Sequence, residues 1–260
     1  MGIMPRKVLA IKNFKERFDL LPKLKGVIAE KQPDILVVVG NILKNEALEK
    51  EYERAHLARR EPNRKVIHEN EHYIIETLDK FFREIGELGV KTFVVPGKND
   101  APLKIFLRAA YEAETAYPNI RVLHEGFAGW RGEFEVIGFG GLLTEHEFEE
   151  DFVLKYPRWY VEYILKFVNE LKPRRLVTIF YTPPIGEFVD RTPEDPKHHG
   201  SAVVNTIIKS LNPEVAIVGH VGKGHELVGN TIVVNPGEFE EGRYAFLDLT
   251  QHKIKLEQFS

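Results

Sequence analysis

Residues 91–100, Lys91-Thr92-Phe93-Val94-Val95-Pro96-Gly97-Lys98-Asn99-Asp100, decide how this chain is read. The run to Val95 has strand length and is rich in β-branched and aromatic side chains, and Pro96-Gly97 ends it. Lys98-Asn99-Asp100 then places polar groups at the carboxyl end of a strand, where open α/β sheets hold ligands. Four other stretches repeat this form. Ile11-Lys12-Asn13-Phe14-Lys15 follows the strand Lys7 to Ile11, and Val39-Gly40-Asn41 follows Asp34 to Val39. Tyr181-Thr182-Pro183-Pro184 follows Arg175 to Phe180, and Val218-Gly219-His220-Val221-Gly222 follows Val215 to Val218. Five such ends can converge on one pocket.

Amphipathic helical patterns lie between the strands. Phe14 to Lys31 carries Leu20, Leu21, Leu24, Val27 and Ile28 on one face. A later helix, stopped by Gly89, carries Ile74, Ile75, Leu78, Phe81, Phe82, Ile85 and Leu88. Pro102 to Glu114, Trp159 to Leu171 and Ala202 to Leu211 complete the set. Residues 119–141 and the closing segments Glu226 to Val234 and Arg243 to Leu256 read as β-rich, with antiparallel strands and turns. Parallel βαβ units followed by an antiparallel finish predict two sheets packed face to face and flanked by helices. No linker, internal repeat or low-complexity tract interrupts the chain, so one domain over 1–260 is expected, with a charged helical insertion at about 44–71.

The order and spacing of the five strand ends resemble the calcineurin-like metallophosphoesterases, in which these frames read D-x-H, G-D, G-N-H-D, a His shortly before Pro-Pro, and G-H-x-H. Asn235-Pro236-Gly237 resembles the family's turn after the last of these. The resemblance implies a four-layer α/β/β/α sandwich of two mixed sheets. It also implies a dinuclear centre, with first-ion ligands at Asn13, Lys15, Asn41 and Gly222 and second-ion ligands at Asn41, Lys98, Tyr181 and His220. The family's leaving-group His falls on Asn99, and the acid that orients it on Asp100. Of these positions only His220 keeps a ligand the family uses, and Asp100 keeps its residue type. His225 is a further weak metal candidate for the place left by Gly222.

Two carboxylates have become amides, and two neutral ligands have become ammonium groups. Hard divalent ions take carboxylate and imidazole donors, and a protonated Lys has no lone pair to give. The expectation from the residues is therefore a chain without the family's hydrolysis and with no metal or other cofactor. Lys15 and Lys98, with the amides of Asn13, Asn41 and Asn99, are candidates for an anion pocket suited to a phosphate or carboxylate. The plainer reading has both Lys reaching solvent, or pairing with Asp100 and nearby Glu residues. Two alternatives stay open: a weak phosphoesterase with one residual metal at His220, and a structural, oligomer-forming subunit.

Composition excludes other classes. The chain has no Cys, so neither disulfides nor thiolate metal sites. A net charge of −3 gives no global basic excess for gripping nucleic acid. The apolar runs are too short for a membrane span, and Met1 to Lys7 lacks the apolar core of a signal peptide. A cytoplasmic protein is expected, with a small anionic ligand or a protein as partner. The 29% charged content and scarce Gln match thermophile usage.

Weaker signals have plain readings. His198-His199 is loop surface, with Ser201 as a helix N-cap. No Ser sits in a nucleophile elbow. Gly138-Phe139-Gly140-Gly141 is a tight turn rather than a dinucleotide fingerprint. Trp130 and Trp159 are expected in or near the core. Leu48, Tyr52 and His56 share a helical face that could meet a partner or a second copy.

Overall fold

The computed structural model describes residues 6–130, 134–251 and 253–259; most of the N-terminal stretch weighed as a leader lies outside these. In chain order the elements are β1 (Lys7–Lys12), α1 (Leu21–Lys31), β2 (Ile35–Val39), α2 (Glu46–Leu57), α3 (Lys65–Gly86), β3 (Lys91–Val95), α4 (Leu103–Ala116), β4 (Ile120–Val122), β5 (Gly126–Trp130) and β6 (Phe134–Phe139). They continue with β7 (Leu142–Thr144), β8 (Lys155–Pro157), α5 (Arg158–Ile164), α6 (Phe167–Leu171), β9 (Leu176–Phe180), α7 (Ala202–Leu211), β10 (Val215–Val218), β11 (Gly224–Val228), β12 (Thr231–Asn235), β13 (Arg243–Asp248) and β14 (Lys253–Gln258).

Two mixed six-stranded sheets result. One has the order β14-β13-β1-β2-β3-β4 and the other β11-β12-β10-β9-β6-β5. Strands β1, β2, β3 and β4 run parallel, as do β6, β9, β10 and β12, so the carboxyl ends of each set lie along one edge. Strand alternation then sorts the side chains into layers. Leu9 and Ile11 face α1, α3 and α4, whereas Val8 and Ala10 face the second sheet. Ile137, Phe139, Ala216 and Val218 pack beneath α5, α6 and α7. The architecture is the expected α/β/β/α sandwich. Among the described residues no helix is long and apolar enough to cross a membrane.

Three expectations change. The helix predicted from Phe14 begins at Leu21, after a short 3-10 turn at Phe18–Leu20. Asn13, Lys15 and Glu16 adopt left-handed backbone angles, and the Lys15 and Glu16 amides donate to Asn41 and Ile42 carbonyls instead of to a helix. The charged stretch is not one element: α2 ends at Leu57, and residues 65–71 are the first turns of α3. Trp130 is buried, but Trp159 is 64% exposed, because it precedes the inward face of α5 that Val161 occupies.

Candidate functional site

The ends of β1, β2, β3, β9 and β10 do meet, and short hydrogen bonds tie them. The Asn13 amide oxygen accepts from the Asn41 backbone N–H at 2.8 Å, and the Asn41 amide oxygen accepts from Asn99 N–H at 2.8 Å. Asp100, fully buried, accepts from Ile42 and Leu43 through one oxygen and from Gly97 through the other, at 2.7–2.8 Å. Burial pushes its carboxyl up to about 7 in spite of those three donors. Gly40 permits this approach: a Cβ there would lie 2.1 Å from the Gly97 nitrogen.

Tyr181 is buried among the strand ends. It is 1% exposed, and its phenol lies 3.2 Å from His220 Nδ1. Burial pushes the Tyr181 phenol well above its ordinary value, so it stays protonated. Burial first, then the charges of Lys98, Lys12 and His199, holds the His220 imidazole down at about 3, so it is neutral at ordinary pH. The His199 ring stands edge-on to His220 at 6.0 Å, and His199 Nε2 lies 2.7 Å from Asp195. The loop residue His199 therefore belongs to this site, whereas His198 pairs with buried Asp190. Ser201 caps α7 as expected, accepting from Val203 N–H.

The residue sequence reasoning missed is Lys12. It continues the inward parity of Val8 and Ala10, is fully buried, and sends its ammonium between the sheets. Nζ donates at 2.8 Å to the His220 and Gly222 carbonyls and lies 3.0 Å from Glu238 Oε1. Asn13 Nδ2 reaches the His220 carbonyl and both Glu238 oxygens at 3.0–3.1 Å. Lys15 Nζ lies 2.8 Å from Glu240 and 3.6 Å from Glu238. Burial pushes the Lys12 amine down more than Glu238 raises it. A Lys on the buried parity of a strand was the available signal. Glu238 and Glu240 gave none, because no apolar period marks them.

Lys98 and Lys15 do not share a partner. Lys98 Nζ donates to one oxygen of Glu49, from α2, and Asn99 Nδ2 donates to the other at 2.9 Å. Asn99 Nδ2 also reaches the Lys44 carbonyl, while its Oδ1 is buried with no partner among the described residues. The pocket expected to carry net positive charge is thus lined with the chain's own carboxylates. Gly222 is closed to a larger side chain: at φ +109 a Cβ would lie 2.4 Å from the Val189 carbonyl oxygen. His225 does not take its place. It is exposed on β11 and lines a separate depression with Lys253 and Lys255.

As a donor set for metal, these groups are poor. Amides, a phenol and one imidazole stand at the family's positions, with ammonium groups among them. Among the described residues no three His, Asp or Glu side chains form a group that could hold an ion. The arrangement does not fit the dinuclear centre.

The description "metallophosphoesterase, calcineurin superfamily" belongs to the family model that matches residues 1–259. The chain matches no curated protein. Among solved structures, TT1561 of Thermus thermophilus is 30% identical with a TM-score of 0.80, over 99% of this chain and 100% of that one. A dimetal phosphatase from Danio rerio shares the fold at 11% identity and TM-score 0.58, over 98% and 99%. These matches correct the expectation that no cofactor is involved: the family and its dimetal neighbour are metal-using phosphoesterases. On the match over almost all its length, the chain belongs to the calcineurin superfamily of metallophosphoesterases.

Proposed function

We propose that this protein binds a small phosphate-like anion at the Lys98–Asn99 end of the pocket and does not turn over phosphoesters by the family's route. The observation that carries the reading is the two-point grip on Glu49, one oxygen on the Lys98 ammonium and the other on the Asn99 amide. A cation and a neutral donor set side by side match two adjacent oxygens of a carboxylate or phosphate. The Tyr181 phenol and the Lys12 ammonium support the non-hydrolytic half of the reading. Tyr181 stands at one of the family's ligand positions with its phenol on His220, and the Lys12 ammonium is buried against the His220 and Gly222 carbonyls.

The test pairs binding with turnover. Inorganic phosphate is titrated calorimetrically into the wild type and Lys98→Met, and a generic phosphodiester is assayed with Mn²⁺ against His220→Ala. Saturable binding that Lys98→Met abolishes, with no turnover above the His220→Ala background, is expected. Hydrolysis lost on His220→Ala sinks the non-hydrolytic reading, and phosphate binding indifferent to Lys98 sinks the site.

A further inference from the structure

Glu49 is the occupant of the Lys98–Asn99 seat, and it comes from the charged segment that the sequence marked as an insertion. Its place is not required to hold α2 down. Asn45, in left-handed conformation just ahead of the helix, donates to the Asn99 and Ala101 carbonyls at 3.0 and 2.7 Å. Leu48 is fully buried in the core under the helices. Farther along, Glu51 accepts from Arg60 and from the Asn63 backbone, each near 2.7–2.8 Å. Lys155 lies 4.7 Å over the Tyr52 ring. The helix is thus seated by its buried face and by pairs other than the one at the pocket.

The Glu49 side chain, by contrast, is about a quarter exposed, at 23%. It can leave by side-chain rotation alone, with α2 in place. Its departure would free one Lys98 donor and one Asn99 donor that are otherwise both used. Asn99 Oδ1, on the same amide as the Nδ2 that holds Glu49, is buried and has no donor among the described residues. A carboxylate has nothing to give that oxygen. A hydrogenphosphate has a P–OH that can.

Resting on the binding reading above, we infer that Glu49 is a tethered competitor: an internal carboxylate that closes the anion seat and that a hydrogenphosphate or phosphate monoester displaces. Because the competitor is attached, its local concentration is fixed by the fold and not by the solution. The apparent affinity of the external anion is then its intrinsic affinity scaled by the fraction of time the seat is open. A seat open one-tenth of the time weakens binding about tenfold. The charged segment thereby sets the threshold at which ligand enters.

The experiment is a titration of inorganic phosphate, with acetate as a parallel arm, into wild type, Glu49→Ala, Glu49→Gln and Glu49→Ala/Lys98→Met. Circular dichroism and melting establish that each is folded. Glu49→Ala is expected to bind phosphate at least about tenfold tighter than wild type. Acetate should gain less, since it offers no donor to Asn99 Oδ1, and the double variant should lose the gain. Glu49→Gln keeps the shape without the charge and serves if the alanine variant folds poorly; it should also tighten binding. Folded Glu49 variants that bind no tighter than wild type overturn the competitor, even where Lys98→Met abolishes wild-type binding and the binding site itself stands. Phosphate that binds neither wild type nor Glu49 variants overturns both. An equal gain for acetate overturns the part assigned to Asn99 Oδ1.

Discussion

Lys12 Nζ lies 3.0 Å from Glu238 Oε1, with Lys12 fully buried between the two sheets at the edge where the strand ends meet. The pair joins the end of β1 to the turn after β12, and through the His220 and Gly222 carbonyls it also holds the loop after β10. Three segments distant in sequence are therefore fixed by one ammonium.

Lys12→Met removes that charge but keeps its length. Glu238 loses its fully buried cationic partner but keeps Asn13 and Lys15, and the Gly222 carbonyl loses its donor while the His220 carbonyl keeps Asn13 Nδ2. Breaking a buried pair from one side costs about 3–5 kcal/mol, and urea unfolding should show a loss of that order. The double variant Lys12→Met/Glu238→Gln should lose less than the sum of the two singles, because both singles remove the same contact. Additive losses would mean the two groups are not coupled.

The acid side of the stability profile carries opposed contributions from buried carboxyls and buried imidazoles. Burial pushes the Glu238 carboxyl up, but Lys12, Asn13 and Lys15 outweigh this and hold it below its ordinary 4.5. Its stabilisation is present above that value and fades as pH falls through the lowered one. Asp100 is raised from 3.8 to about 7, so the folded state takes up a proton the unfolded state does not. Its effect is that stability rises as pH falls from about 7 toward 4. Burial holds the His220 and His124 imidazoles down at about 3 and about 4, so below their ordinary value the folded state binds fewer protons there and these two groups outweigh Asp100. Denaturant midpoints measured from pH 8 to 3 should therefore fall in acid, Asp100→Asn should steepen the fall, and Lys12→Met should weaken its lowest part.

His220 should titrate near 3 in proton NMR and remain neutral at pH 5. After burial, Lys98 is the largest influence lowering it, so Lys98→Met should move the midpoint upward. A midpoint at the ordinary histidine value in the wild type would mean that His220 is not enclosed as described.

Asn45→Ala deletes two buried hydrogen bonds and replaces asparagine, which tolerates φ 47, with a residue that favours it less. A loss of about 1–3 kcal/mol in melting or denaturant experiments is expected. Glu49→Ala, which touches only the mouth of the pocket, should cost less. A reversed ranking would assign the seating of α2 to Glu49 and undercut its role as a displaceable group.

The sandwich was legible because its information is local and periodic. Apolar runs such as Ile35 to Val39 can only be buried strands, and the 3.6-residue spacing of Leu78, Phe81, Phe82 and Ile85 can only be a helix lying on a sheet. The turn from Asn13 to Glu16 was not legible. Its left-handed backbone is held by the Asn41 and Ile42 carbonyls of the neighbouring strand end, which no local pattern announces.

The sequence by itself determined which strand ends would meet and which residue types would stand there: amides at 13, 41 and 99, ammonium groups at 15 and 98, a phenol at 181 and an imidazole at 220. Only the tertiary structure decided what those groups face. Charged side chains carry no periodicity and reach several ångströms, so their partners are set by the packing of distant segments. Lys12 and Lys15 meet Glu238 and Glu240 more than two hundred residues away, and Lys98 meets Glu49 on α2. A pocket that reads as open and positive in the sequence is, once folded, filled by the chain's own carboxylates.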